Sequence, residues 1–142
     1  MTNIIQLSHG DGGRKTESII REIFYKHFDN ELLKESRDAA IFSINNQKLA
    51  FTTDSFVVNP LFFNGGDIGK LAICGTINDL TAVGAVPIYM SVAFVIEQGF
   101  EIEKLDKVAQ SMGETCKKVS AKIITGDTKV VEKGCADAAI SA

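Results

Sequence analysis

The sequence predicts a domain of mixed α and β structure (α/β, or α+β), with a mixed β-sheet carrying helices on one face. Three observations predict it. Apolar residues recur at helical spacing in several segments, runs rich in Val, Ile, Phe and Thr lie between them, and Gly, Asn and Pro clusters mark the boundaries. Helices and strands interleave as helix, two strands, helix, strand, helix, strands. A hairpin interrupts any strict βαβ repeat.

Residues 8–13, Ser-His-Gly-Asp-Gly-Gly, read as a flexible loop. A helix follows from about Thr16 to Phe28, with Ile19, Ile20, Ile23, Phe24 and His27 on one stripe. His27 is expected to extend that stripe as a partly buried packing residue. Asp38 to Ile44 reads as a strand, Asn45-Asn46 as a turn, and Lys48 to Val58 as a longer strand completing a hairpin. Asn59-Pro60 and Asn64-Gly65-Gly66 mark an ordered loop. Asp67 is placed to N-cap a helix reaching about Val83, with Gly84 as its stop and Pro87 beyond. Ile88 to Glu97 is a strand. The helix from Glu101 to Val119 is expected to bury Ile102, Leu105, Ala109, Met112, Cys116 and Val119. Lys122 to Thr125 reads as a strand ending at Gly126-Asp127, and Ala136 to Ala142 as the last strand. Helices on one face leave the other needing a cover, from a partner subunit or a further domain. The apolar run at the end suggests a fragment of a longer protein.

At 142 residues the chain fits one domain, or the larger half of a two-domain protein. A domain of this size buries roughly 70% of the surface of its unfolded chain and needs no disulfide staple. The net charge is −3, and lysines alternate with acids without a basic stripe, which argues against nucleic acid as the main partner. ATP stays open to an acidic protein, because a cation can mediate between carboxylate and phosphate. Cys74, Cys116 and Cys135 are odd in number and lack C-x-x-C spacing. They read as reduced, mostly buried thiols of a cytoplasmic protein; a catalytic thiol is the sharper alternative, and no paired base accompanies it. The N-terminal run Met1 to Ser8 is no signal peptide, and no stretch of about 18 apolar residues could span a membrane.

Three constellations could carry chemistry. In His9-Gly10-Asp11-Gly12-Gly13-Arg14-Lys15-Thr16, the glycines allow close backbone approach, and the following helix offers free N–H groups to an anion. It is not a Walker A loop, and a mobile segment leading into a helix is the plainer reading. His9 could touch a ligand there. The second constellation is Asp38, Asp54, Asp79 and Asp127. Asp79 falls at i+7 from Ala72 and i+4 from Gly75, so it shares the helix's apolar face, where a lone charge is costly. Several carboxylates together suit magnesium; singly, each could cap a turn or pair with a lysine. Third, Lys129 after Gly126-Asp127-Thr128 could reach a phosphate or a carbamoyl-type group, or be a solvated surface lysine, and Lys70 is ambiguous in the same way.

The runs Ser8 to Lys15, Phe51-Thr52-Thr53-Asp54-Ser55-Phe56-Val57-Val58-Asn59-Pro60-Leu61-Phe62-Phe63, Gly65 to Ala72, Cys74-Gly75-Thr76-Ile77-Asn78-Asp79-Leu80 and Gly126 to Val131 together resemble the HypE family of hydrogenase maturation factors. The wider group is the aminoimidazole ribonucleotide synthetase-like (PurM-like) superfamily. The resemblance implies that residues 1–142 form a PurM-like N-terminal ATP-binding domain, with the C-terminal domain outside this chain. It implies a homodimer whose N-terminal sheets pair into a barrel. ATP and Mg2+ would be bound by Gly12, Gly13, Lys15, Asp38, Asp54, Asn78, Asp79, Gly126, Asp127 and Thr128, with Asp38, Asp54, Asp79 and Asp127 at the metal and Lys129 assisting catalysis. The implied reaction is ATP-dependent dehydration of a carbamoyl group on the protein's own C-terminal cysteine to a thiocyanate, the source of cyanide for [NiFe]-hydrogenase. The partners implied are HypF, as carbamoyl donor, and the HypC–HypD complex, with no nucleic acid and no membrane. Cys74, Cys116 and Cys135 are not that carrier. Arg37 stands before Asp38 where relatives often have a second acid, so Asp38 is a weaker metal candidate than Asp54 or Asp79. Two other readings stand beside this one: a small-molecule kinase or synthetase of the same superfamily, which the opening loop argues against, and a non-catalytic dimerisation module.

Overall fold

The computed structural model describes residues 4–28, 30–135 and 138–142. Met1 to Asn3, and the first two residues of the expected last strand, Ala136 and Asp137, lie outside the described residues.

A 3-10 turn at Leu7–His9 precedes α1 (Arg14–Ile19), which continues through a π-helical turn (Ile20–Phe24) into α2 (Tyr25–His27). The helix therefore begins two residues earlier than its apolar pattern suggests. Its stripe does not reach the core: no residue of these three segments is buried, and His27 is exposed rather than packed. The Phe24 and Phe28 rings stack on each other, 6.0 Å apart. The short α3 (Glu31–Lys34) is capped by Asn30, whose side chain accepts the Leu33 N–H.

Strands β1 (Ala40–Ile44) and β2 (Gln47–Phe51) form the expected hairpin, and Asn45 and Asn46 take the positive φ values that a tight turn needs. The long strand expected over Lys48 to Val58 is broken. β2 ends at Phe51, and the chain re-enters a different sheet as β3 (Ser55–Val57). β4 (Phe62–Phe63) and β5 (Gly66–Asp67) make a two-residue ladder leading into α4 (Ile68–Ala82). Asp67 caps α4 as expected, accepting the Gly69 and Lys70 N–H groups at 2.7 and 3.1 Å. Gly84, at φ +75°, ends it, and Ala85 N–H closes back on the Leu80 carbonyl.

β6 (Tyr89–Glu97), α5 (Ile102–Val119), β7 (Lys122–Val131) and β8 (Ala138–Ser141) complete the chain. The main sheet runs β3-β8-β6-β7. β8 is antiparallel to both of its neighbours, and β6 and β7 are parallel. β6 alternates, sending Met90, Val92, Phe94 and Ile96 towards α4 and α5. The core joins Met90, Val92 and Phe94 to Ile68, Ala72, Ile73 and Ile77 of α4, Val108, Met112 and Cys116 of α5, and Ile140 of β8. The mixed sheet with helices on one face is thus as the sequence predicts.

Two further expectations are corrected. The buried face of α5 is centred on Val108, Met112, Thr115 and Cys116; Ile102 is 82% exposed, and Ala109 and Val119 are exposed. The cause is the contact with α4, where Gly69 lets the α5 backbone come close: a Cβ there would lie 2.6 Å from the Val108 carbonyl oxygen. The other correction concerns β7, which does not stop at Thr125 but pairs with β6 as far as Val131. Gly126 lies within the strand, where a Cβ would meet the Val92 carbonyl oxygen at 2.5 Å; the glycine marks a close backbone approach, not a turn.

No helix among the described residues is long and apolar enough to cross a membrane. Cys116 is buried, Cys74 intermediate and Cys135 exposed, and burial pushes the Cys116 thiol pKa up. A thiol-specific chromogenic reagent at pH 8 should therefore label Cys135 within minutes and Cys116 only on unfolding. Equal rates for the two in native buffer would refute the placement of α5.

Candidate functional site

The break between β2 and β3 puts Thr52, Thr53 and Asp54 at the crossing from the hairpin to the main sheet. The Thr52 hydroxyl lies 2.9 Å from the Asp38 carbonyl oxygen and 3.2 Å from Asp79 Oδ2, bridging the start of the hairpin to α4 with its single proton. Asp54 exchanges both backbone hydrogen bonds with Ala142, at 3.0 and 3.1 Å, and its Oδ1 accepts the Ser55 N–H at 2.8 Å. Its Oδ2 stands 3.8 Å from the position a Cβ would take at Gly75, one helical turn before Asp79. Asp54 and the Asp79 carboxylate are thereby drawn to the same stretch of α4, and both residues are half-buried. Asp38 joins them through its backbone, and its side chain is exposed.

No lysine or arginine pairs with Asp38, Asp54 or Asp79 among the described residues. Half-buried carboxylates without a cationic partner are costly, and hard oxygen donors of this kind suit magnesium. Among the described residues, no three His, Cys, Asp or Glu side chains are grouped closely enough to hold an ion by themselves. The donor set therefore fits a cation that completes its shell with phosphate oxygens and water.

Asp127 and Lys129 lie elsewhere. Asp127 is in register with Ala93, and Lys129 with Val95, so both point to the sheet face that α4 and α5 leave open. Asp54, paired with Ala142 and two residues from Phe56, belongs to the helix-covered face. One copy of the chain does not bring all four aspartates together. Lys129 donates to Asp127 Oδ1 at 3.0 Å, and its Nζ lies 2.8 Å from Oδ2 in an ion pair. That bond, helped by the Thr128 backbone, holds the Asp127 carboxyl below the usual carboxylate range. Stability from the pair is present above the unfolded carboxyl's pKa and lost as pH falls through the lowered value, and the exposure of both side chains keeps it small. Gly126 and Thr128 are exposed on the same strand, and Asn78 is exposed on α4.

The glycine loop is ordered by its own contacts. Gly13 N–H donates to Asp11 Oδ1, Gly12 N–H donates to Thr16 Oγ1, and Lys15 donates to Gln6 and Ser8. Gly12, at φ +76°, shares a cavity of about 420 Å3 with Arg21, Ser36 and Arg37, so the loop opens beside the residue that precedes Asp38. Next to Thr52, Thr76, Leu80 and Met90 there is a cavity of only about 60 Å3, too small to enclose a nucleotide. A wider space of about 480 Å3, walled by Val58, Leu61, Phe100 and Lys104, lies beyond the C-terminal end of β6 and includes none of the candidate residues. Thr52 and Gly75 were not singled out from the sequence. The doubled threonine before Asp54 was a legible signal for the first; the second shows only once helix and strand are packed.

Comparison with known proteins adds four findings. The sequence model of the N-terminal domain of AIR synthase related proteins matches residues 36–142. The chain is 51% identical over 133 residues to the carbamoyl dehydratase HypE of Rhizobium leguminosarum bv. viciae, covering 94% of this chain and 38% of that one. Its fold is similar to a crystal structure of a HypE–HypF complex, with TM-score 0.79 and 50% identity over 87% of this chain and 40% of the other. It is also similar to HypE in complex with ATP, with TM-score 0.65 and 42% identity over 97% of this chain and 41% of the other. The chain spans about two-fifths of the length of the relatives it matches.

Proposed function

The chain belongs to the AIR synthase related proteins, as their N-terminal domain, and from that premise we propose that it is the ATP- and magnesium-binding part of a HypE-type carbamoyl dehydratase. The observation that carries the proposal is the pair Asp54 and Asp79. They are half-buried, drawn to one stretch of α4, and without a cationic partner among the described residues. The likeness to HypE, including a HypE that binds ATP, supports the substrate. Asp54 and Asp79 would hold the ion, with the Asp38 backbone fixed through Thr52, and Gly12, Gly13 and Lys15 would close over the phosphates.

The reaction follows from the chemistry of a carboxamide. Its oxygen is a poor leaving group, so the γ-phosphoryl group of ATP is transferred to it, releasing ADP and one N–H proton. Loss of phosphate with the second N–H proton then forms the C≡N bond of a thiocyanate. The carrier is a cysteine of a second domain beyond this chain, and the cyanide serves [NiFe]-hydrogenase maturation in the cytoplasm. Bound magnesium would offset the charge on the transferring phosphoryl group. Lys129 is ion-paired with Asp127, and its assistance would be to attract developing negative charge.

Asp127 and Lys129 are assigned to the contact with a second copy, laid against the open face of Ser91, Ala93 and Val95 in a homodimer. HypF would be the carbamoyl donor and HypC–HypD the acceptor complex; similarity to HypE in complex with HypF supports the first. Titration calorimetry of the full gene product with ATP is expected to show binding that requires Mg2+. Sedimentation at tens of micromolar is expected to give a dimer. Absence of heat with Mg2+ and ATP would overturn the nucleotide reading, and a monomer the dimer reading.

A further inference from the structure

We propose that Gly75 and Phe56 are positioning residues: together they set the distance between the strand carrying Asp54 and the helix carrying Asp79. The inference rests on the magnesium–nucleotide reading above. Gly75 sits in the interior of α4, where its backbone is not in the left-handed region and glycine weakens a helix relative to alanine. Helix geometry alone thus gives no reason for glycine here. Packing does. A Cβ at position 75 would lie 2.5 Å from Cζ and 2.6 Å from Cε1 of Phe56, far inside contact distance. The Phe56 ring occupies the room that a side chain would need.

Both sides of this contact are tied to the rest of the fold. Phe56 packs against the core, and its backbone is in register with Ile140 of β8. On the helix, the neighbouring Thr76 hydroxyl shares its proton between the Ala72 carbonyl oxygen at 3.0 Å and the Ala142 carbonyl oxygen at 3.3 Å, and the latter also accepts the Asp54 N–H at 3.0 Å. The helix and the Asp54 segment thus meet at one carbonyl, and the Cζ–Cε1 edge of the Phe56 ring abuts the helix beside it. A methyl group at Gly75 must push the ring, and with it residues 54–56, away from α4. Asp54 Oδ2 is only 3.8 Å from that methyl position, and Asp79 is one turn further along. A displacement of about 1 Å is enough to spoil a preorganised ligand set.

The test is calorimetry of the full gene product with ATP and Mg2+, together with far-UV circular dichroism and thermal melting. Gly75→Ala is expected to weaken binding at least tenfold while keeping the wild-type spectrum. Adding Phe56→Leu, which removes the far edge of the ring, is expected to restore affinity to within about threefold of wild type. Wild-type affinity in Gly75→Ala would overturn the inference. So would a folded double variant that stays weak, or a double variant that recovers neither fold nor binding. If Gly75→Ala alone is too unstable to assay, joint recovery of fold and affinity in the double variant supports the inference, and recovery of fold alone overturns it. Failure of the wild-type protein to bind Mg2+ and ATP is a separate outcome, and it would sink the functional reading instead.

Discussion

Asp79→Asn is expected to weaken Mg2+-dependent ATP binding on the order of 100-fold while leaving the fold intact. The substitution keeps the side chain's shape and an oxygen for the Thr52 hydroxyl, now 3.2 Å from Asp79 Oδ2. It removes the charge that would hold the ion, and loss of a group at a metal site commonly costs one to two orders of magnitude (roughly 10–100-fold) even for supporting residues. A second, opposite effect identifies the cause. Asp79 is half-buried with no cationic partner among the described residues, so neutralising it should raise the melting temperature slightly in metal-free buffer. Asp54→Asn should behave alike. If both carboxylates serve one ion, the double variant should be weaker than the wild type by less than the product of the two single effects. Unchanged affinity in Asp79→Asn, measured by calorimetry with and without Mg2+, would refute the assignment.

The largest expected effect on stability comes from Ile73→Ala. Ile73 has no exposed surface and sits in α4 within the core shared by α5 and the main sheet. Truncation removes its burial and leaves a cavity, at a cost of about 3–4 kcal/mol. For a domain of this size that lowers the melting temperature by roughly 10 °C. Ile102→Ala is the control: at 82% exposed, Ile102 should cost under about 0.5 kcal/mol. Melting curves in which the Ile102 variant lost as much as the Ile73 variant would show that α5 packs on the face its apolar spacing suggests, not on the one described.

Much of the architecture was legible because it is local. Asp67 before an apolar run signals an N-cap, Gly84 a stop, and Asn45-Asn46 a turn, and each is so in the structure. Periodicity placed Met112 and Cys116 inside but chose Ala109 where the structure buries Val108. That choice depends on where α4 approaches, and the approach is set by Gly69. The same limit explains the N-terminal helix. Ile23, Phe24 and His27 form a stripe at helical spacing, yet spacing does not say whether a second surface exists to receive it.

The candidate site divides in the same way. The residue types and their runs determined by themselves that Asp54 stands after two threonines at the end of an apolar stretch, that Asp79 shares a helix face with Ala72 and Gly75, and which family the chain belongs to. Covalent spacing and side-chain period are properties of the chain and need no partner element. Only the tertiary structure decided that Thr52 links Asp38 to Asp79, that Phe56 fills the space over Gly75, and that Asp127 and Lys129 lie on the opposite face of the sheet from Asp54. Each of these follows from the pairing of distant strands and the packing of a helix upon them. A parallel register carries β7 past its glycine to Val131, and β3 breaks from the hairpin to join β8. Because side chains alternate across a sheet, register sets the face on which each carboxylate falls, and register is fixed by long-range contacts.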